Sequence, residues 1–105
     1  MYNKNQEMKG EINMAKKQIF YLHSCDEFVS KSSMRLIFIG TSPTKLKMKI
    51  SKEIEAGNME YYDAELSPKE QAKMFRQDFA KKTRNYIIGN LTYGFYDYCY
   101  DNEEL

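Results

Sequence analysis

The strongest constraint on the fold is a helix start at Ser67-Pro68-Lys69-Glu70. A serine N-cap with glutamate three residues later forms a capping box, and proline is favoured at the first helical position because its N–H would lack a partner there anyway. Apolar residues then recur at helical spacing. They are Ala72, Phe75, Phe79 and Tyr86. The pattern predicts one long helix that reaches Ile87 or Ile88 and stops at Gly89-Asn90.

A second helix is predicted after Ser42-Pro43, which supply another N-cap and first-turn proline. Leu46, Ile50 and Ile54 follow at spacing four and form one apolar stripe. Gly57-Asn58 is typical of a helix end, because glycine adopts the left-handed conformation of a C-terminal cap without strain.

Four bulky segments predict β-strands. They are Gln18–His23, Met34–Ile39, Met59–Asp63 and Leu91–Tyr100. The nearly unbroken apolar run of Met34–Ile39 indicates an interior strand covered on both faces. For Leu91–Tyr100 we expect cover on one face and tyrosines on the other. The order β-β-α-β-α-β predicts an α+β fold, a mixed or antiparallel sheet with two helices packed on it.

Length and composition predict one globular domain of 105 residues, with 42% hydrophobic and 30% charged residues. We assign residues 1–16 to a flexible N-terminal extension, because their apolar residues are isolated, and 17–105 to the domain. No apolar run approaches the roughly 18–20 residues of a membrane span. The first ten residues also lack the apolar core of a signal peptide. These features predict a cytoplasmic protein with no membrane partner.

No catalytic signature stands out. His23-Ser24-Cys25 places the single histidine two residues from a thiol, but a cysteine nucleophile needs a base placed by the fold, and close spacing is weak evidence for one. Zinc ligands could be drawn from His23, Cys25, Asp26 and Cys99, yet structural zinc sites usually show paired ligands such as C-x-x-C. We therefore predict a non-enzymatic protein with no metal and no cofactor. A thiol enzyme centred on Cys25 is the weakest alternative.

Basic residues recur along the two predicted helices, and such faces can follow a phosphate backbone. The candidate nucleic-acid-binding residues are Lys45, Lys49, Lys52, Lys69, Lys73 and Arg76. A lysine-rich outer helix face is usually only solvated, and that alternative stays open.

Tyrosines and carboxylates are concentrated at the C-terminal end of the chain. The candidate partner-binding residues there are Tyr96, Tyr98, Tyr100, Asp97, Asp101, Glu103 and Glu104. Carboxylates can stand for phosphates and aromatic rings for bases, so this end could mimic a nucleic-acid strand and occupy a basic channel. The alternative is a core strand followed by a solvated acidic tail.

Three segments carry a resemblance: IFYLHSCDEF, SSMRLIFIGTSPTKLKMKISKEIEAGNMEY and LTYGFYDYCYDNEEL. They resemble small proteins of phages and mobile elements in Gram-positive bacteria, among which are anti-CRISPR inhibitors of the type II-A RNA-guided nuclease. The resemblance implies a non-enzymatic inhibitor in the cytoplasm of the bacterial host. Its partner would be the effector nuclease, which holds nucleic acid in a positive channel, its guide RNA, or both. The alternative function is a small nucleic-acid-binding accessory or regulatory protein that uses the basic helix faces.

Overall fold

The computed structural model describes residues 17–100. The predicted extension at 1–16 and the acidic residues at 101–105 lie outside this range. Within it the elements are β1 (Gln18–Ser24), a 3-10 turn (Lys31–Ser33), β2 (Arg35–Gly40), α1 (Pro43–Glu55), β3 (Glu60–Tyr61), α2 (Pro68–Lys81), α3 (Arg84–Asn90), β4 (Leu91–Thr92) and β5 (Gly94–Tyr100). The predicted α+β class and the β-β-α-β-α-β order are confirmed, except that the second helix and the last strand are each divided in two.

The main sheet has three antiparallel strands in the order β2-β1-β5, so β1 is central. Phe20 and Leu22 of β1 point toward the helices and into the core. Strands β3 and β4 form a separate two-stranded antiparallel sheet. The pairing of β1 with β2 shifts between Leu22 and His23, where β2 contains one extra residue, Ile37. This is a β-bulge, and it changes which residues of β2 share a face.

Helix α1 begins and ends as predicted. The Ser42 side chain accepts a hydrogen bond from the Lys45 N–H, and Pro43 occupies the first turn. At the other end Gly57 has φ +83°, and its N–H donates to the carbonyl of Ile54. The Asn58 N–H donates to the carbonyl of Glu53, which completes a Schellman motif. The predicted apolar stripe is buried in the core: Leu46, Ile50 and Ile54.

Helix α2 has the predicted capping box, in which Ser67 and Glu70 exchange hydrogen bonds with each other's backbone N–H. The prediction of one helix continuing to Ile87 or Ile88 is wrong. The backbone is extended at Lys82, and Thr83 starts α3 by accepting a hydrogen bond from the Tyr86 N–H. Threonine competes for backbone donors in this way, so it favours a new cap over continued helix.

The apolar stripe does not continue across this break. Phe75 is fully buried and Phe79 is half-buried against the core, but Tyr86 is 39% exposed. The buried residue of α3 is instead its neighbour Ile87. The expectation that Tyr86 belongs to the buried stripe is therefore wrong, because it assumed one continuous helical period.

Among the strands of residues 17–100, β2 lies at the edge of the sheet, so the prediction that it is interior is wrong. Leu36 is 54% exposed and Ile39 is 64% exposed. Helix α1 covers the face that carries Phe38, whereas no described element covers the face that carries Leu36 and Ile39. An apolar run favours a strand with two covered faces, but the run itself does not determine the strand's position in the sheet.

The expectation that the tyrosines of the last strand lie opposite its covered face is also wrong. Tyr96 is only 5% exposed and belongs to the core. It pairs with Leu22, and Tyr98 pairs with Phe20, so these tyrosines share the face that the helices cover. Tyr93 has φ +73° and separates β4 from β5. Tyr98 is 40% exposed, although its ring lies 6.2 Å from that of Phe20.

We predict that Phe75→Ala lowers the free energy of unfolding by about 3–5 kcal/mol, the usual effect of truncating a buried phenylalanine. Phe79→Ala should cost less, because Phe79 is only half-buried. Tyr86→Ala, at an exposed position, serves as the control and should change stability least. Chemical denaturation followed by circular dichroism measures all three. An equal loss for Phe75→Ala and Tyr86→Ala would contradict this assignment of the core.

Candidate functional site

The basic residues predicted on two separate helices come together where α1 packs beside α2. Three adjoining clefts run across this helix pair. The first is lined by Phe38, Lys45, Met48, Lys49 and Lys52. The second is lined by Met48, Ser51, Lys52, Glu55 and Arg76, and the third by Glu55, Lys69, Glu70, Lys73 and Arg76. Because neighbouring clefts share residues, they form one continuous surface, here called the α1/α2 basic surface: Lys45, Lys49, Lys52, Lys69, Lys73 and Arg76.

Arg76 joins the two halves of this surface. Its Nη1 donates to Ser51 Oγ at 2.6 Å and lies 3.4 Å from Glu55 Oε2. Ser51 is buried, so the hydrogen bond holds the guanidinium against α1. Arg76 therefore bridges the two helices, and its own charge is partly offset by Glu55.

Four lysine side chains of the surface form no salt bridge with another described residue, although Glu55 and Glu70 line the same clefts. Lys49 Nζ lies 3.1 Å from Glu53 Oε2, one helical turn away. By contrast, no described residue makes a salt bridge or side-chain hydrogen bond with the remaining lysines: Lys45, Lys52, Lys69 and Lys73. Such ammonium groups are available to external phosphates or carboxylates.

The C-terminal candidate residues differ in burial and in their contacts. Tyr96 is in the core, and its burial raises the pKa of its hydroxyl to about 12, with Arg84 acting weakly in the opposite direction. Arg84 Nε lies 3.2 Å from Asp97 Oδ1, so that carboxylate is paired. Tyr98 and Tyr100 meet edge to face, with ring centroids 5.9 Å apart. Asp101, Glu103 and Glu104 lie outside the described residues.

The loop after β1 is organised by Asp26. Its carboxylate accepts hydrogen bonds from the N–H groups of Phe28 and Ser30 and from the Ser30 hydroxyl. These bonds, with that from the Ser30 backbone foremost, lower the pKa of Asp26. The loop also places Val29 at φ +55°, a conformation that β-branched residues rarely adopt.

His23 and Cys25 do not form a nucleophile–base pair. Burial, and to a smaller degree the charge of Asp26, raises the pKa of the Cys25 thiol. No hydrogen bond joins it to His23, whose buried Nδ1 has no partner among the described residues. The His23 ring instead lies edge-on to Tyr21, 5.9 Å between centroids. The raised pKa opposes the thiolate that such chemistry needs.

Across 17–100 no group of three or more histidine, cysteine, aspartate or glutamate side chains is placed to hold a metal ion. No helix in the same range is long and apolar enough to cross a membrane. Comparisons with protein-family models, curated proteins and solved structures found no match. The chemistry of the chain's own surfaces is therefore the basis for inferring its function.

Sequence reasoning missed one surface, the outer face of the three-stranded sheet, turned away from the helices. It carries apolar and aromatic side chains from all three strands. They are Ile19, Tyr21, His23, Leu36, Ile39 and Phe95. The available signal was the run Met34–Ile39, whose apolar residues exceed what one covered face can accommodate.

We predict that Cys99 reacts with iodoacetamide faster than Cys25 in the folded protein at neutral pH. Cys99 is exposed, whereas Cys25 is half-buried and has a raised thiol pKa. Thiolate is the reactive form, so labelling of Cys25 should accelerate only as the pH rises toward that higher pKa. Mass spectrometry after timed quenching measures both sites, and urea should equalise them. Faster labelling of Cys25 would indicate an activating base.

Proposed function

We propose that the chain is a non-enzymatic inhibitor of the anti-CRISPR kind, which binds an RNA-guided nuclease complex by contacting its guide RNA through the α1/α2 basic surface. The observation that carries this proposal is the continuous surface on which four lysines form no salt bridge with a described residue. The resemblance of the three sequence segments supports the biological setting. The surface itself supports the chemistry of the contact, which is recognition of a polyanion.

The geometry of α1 suits a phosphate backbone. Lys45, Lys49 and Lys52 recur at helical spacing along one side of the helix and line the same cleft. Seven residues of helix rise roughly 10 Å, a length over which lysines can contact more than one phosphate of a nucleic-acid backbone. Met48 lies between these lysines and is half-exposed, so it offers an apolar contact to a ribose or base. Lys69 and Lys73 extend the basic track onto α2.

The second candidate is a nucleic-acid-binding accessory protein, favoured by the same four lysines. The two functions differ in what is bound. An accessory protein binds naked DNA or RNA with strong salt dependence, because it releases counterions from phosphates. An inhibitor binds the assembled nuclease–guide complex more tightly than free nucleic acid of the same sequence.

The acidic C-terminal end supports a different contact for the same inhibitor. Asp101, Glu103 and Glu104 would approach the positive channel of the nuclease, and Tyr98 with Tyr100 would add contact area. This remains a prediction, since the three carboxylates lie outside the described residues. In this contact negative side chains of the chain bind a positive channel, whereas in the basic-surface contact lysines bind the phosphates of RNA.

We predict that Lys45→Glu/Lys52→Glu weakens binding to a type II-A nuclease–guide complex at least tenfold and restores DNA cleavage. The matched control is Lys31→Glu/Lys81→Glu, which makes the same change in net charge at positions that line none of the three clefts. Binding is measured by fluorescence anisotropy across a salt series, with free guide RNA measured in parallel. Loss of two phosphate contacts should reduce the salt slope by roughly 1.4.

The outcomes separate the candidates. Equal affinity for free RNA and for the complex would favour the accessory protein. If the control weakens binding as much as the cleft variant, net charge rather than this surface is responsible. If Asp101→Lys/Glu103→Lys/Glu104→Lys alone abolishes binding, the contact is made by the acidic end with the protein channel.

A further inference from the structure

The loop between β1 and β2, residues 25–34 and here called the Asp26 loop, carries a prominent apolar tip. Phe28 is 80% exposed, and its neighbour Val29 is 39% exposed. Within residues 17–100 no other large apolar side chain is as exposed as Phe28. A single exposed apolar residue is ordinary on a protein surface, so exposure alone assigns no role to the ring. What distinguishes this tip is the backbone that carries it.

The backbone of the tip is held by Asp26. Its side-chain Oδ1 accepts hydrogen bonds from the N–H groups of Phe28 and Ser30, both at 3.0 Å, and its carbonyl accepts from the N–H of Val29 at 3.1 Å. Three consecutive N–H groups therefore bond to one residue. The N–H of Asp26 donates in turn to Ser33 Oγ at 2.9 Å, which ties the tip to the 3-10 turn. The Phe28 ring thus projects from a fixed stretch of backbone.

The fixed backbone of the tip is also strained. Val29 has φ +55°, in the left-handed region that glycine or asparagine adopts far more readily than a β-branched residue. Such conformations persist only where surrounding bonds impose them, and they cluster at functional sites. A strained backbone and an aromatic ring in water are both unfavourable for the isolated fold. Both favour a loop whose tip is buried by a partner, because a loop that is already ordered loses little entropy on binding.

The charges around the tip indicate which kind of partner fits it. Residues 25–35 contain two acidic and two basic side chains, so the loop and the start of β2 carry no net charge: Asp26, Glu27, Lys31 and Arg35. A contact with phosphates or with an anionic bilayer needs an excess of positive charge. A ring surrounded by polar residues of both signs instead matches a protein–protein interface, in which an aromatic anchor fills an apolar pocket and charged residues form the rim.

We propose that the Asp26 loop is a second contact of the inhibitor, in which Phe28 inserts into an apolar pocket of the nuclease protein itself. This inference rests on the proposed function, since it names the part of the nuclease–guide complex that the loop binds. The α1/α2 basic surface recognises a polyanion, and that contact alone would bind free guide RNA as well as the complex. A preference for the complex requires contact with the protein, and the Asp26 loop offers it. Phe28 is the anchor, and Asp26 is a positioning residue that fixes the backbone beneath the ring.

The test measures binding of the full chain to a type II-A nuclease–guide complex and, in parallel, to the free guide RNA. Phe28→Ser should raise the Kd for the complex at least tenfold, as removal of an aromatic anchor usually does. It should leave the Kd for free RNA unchanged, because the loop contacts only the protein. The matched control is Tyr62→Ser, which removes another aromatic ring, 58% exposed and outside the loop. The control should change neither affinity.

Two variants of Asp26 test the fixed backbone while Phe28 stays in place. Asp26→Ala removes the side-chain acceptor of the Phe28 and Ser30 N–H groups. It should weaken binding to the complex by a smaller factor than Phe28→Ser, because the loop must then be ordered on contact. Asp26→Asn keeps one acceptor oxygen and should retain most of the affinity. Equal affinity of Asp26→Ala and the parent would overturn the positioning role.

Circular dichroism and thermal melting confirm that each variant remains folded. If Phe28→Ser binds the complex like the parent, the loop contact is overturned, while the proposed function is still decided by the lysine variants. If the parent shows no preference for the complex over free RNA, both proposals fail. An equal loss of affinity for free RNA in Phe28→Ser would place the tip against nucleic acid and overturn the protein contact. So would sedimentation showing a parent dimer that Phe28→Ser converts to a monomer, because the tip would then bind a second copy.

Discussion

The position of the helices depends on the buried side chain of Tyr61. Its hydroxyl donates to Asp78 Oδ2 at 2.7 Å, and its backbone N–H donates to Gln71 Oε1 at 2.8 Å. Burial and the bond to Asp78 raise the pKa of this hydroxyl, so it remains a donor at any physiological pH. Gln71 is itself buried and donates to the carbonyl of Leu66, so the buried polar groups beside Tyr61 satisfy one another. Strand β3 is only two residues long, and these bonds make it an anchor for α2.

The contacts of Tyr61 also determine the geometry of the α1/α2 basic surface. Tyr61 packs edge to face on Phe75, with centroids 5.5 Å apart, and this contact fixes the rotation of α2 about its axis. One residue after Phe75, Arg76 reaches Ser51 on α1. The rotation that buries the phenylalanine thus also turns Lys69 and Lys73 toward the cleft they share with Glu55. Core packing and surface charge are in this way set by the same helix register.

The parts of the fold that the sequence predicts are those decided within a few residues. The Ser67 capping box, the Ser42 cap and the Gly57 termination each depend on local hydrogen bonds, and each is present. The buried face of β5 and the edge position of β2 depend on distant contacts, which single-sequence periodicity does not contain. The break at Lys82 is local, because Thr83 caps α3, but the apolar spacing that predicted one long helix does not reveal it. The lysine faces of both helices were visible in the sequence. Their union into one surface was not, because it required the pairing of α1 with α2.

The two edges of the three-stranded sheet differ in whether a side chain covers their backbone groups. Full burial of a leucine or isoleucine side chain contributes roughly 1.5–3 kcal/mol, and Leu36 and Ile39, which are 54% and 64% exposed, each forgo part of it. Arg84 shows that this fold can cover a sheet edge with one residue from a neighbouring helix. The same remedy is absent at β2 within the described residues, while the bulge there aligns both exposed side chains on one face. Strand β1 is regular and still pairs with both Leu36 and Ile39 across the bulge, so the irregularity by itself does not prevent another extended segment from adding to this edge.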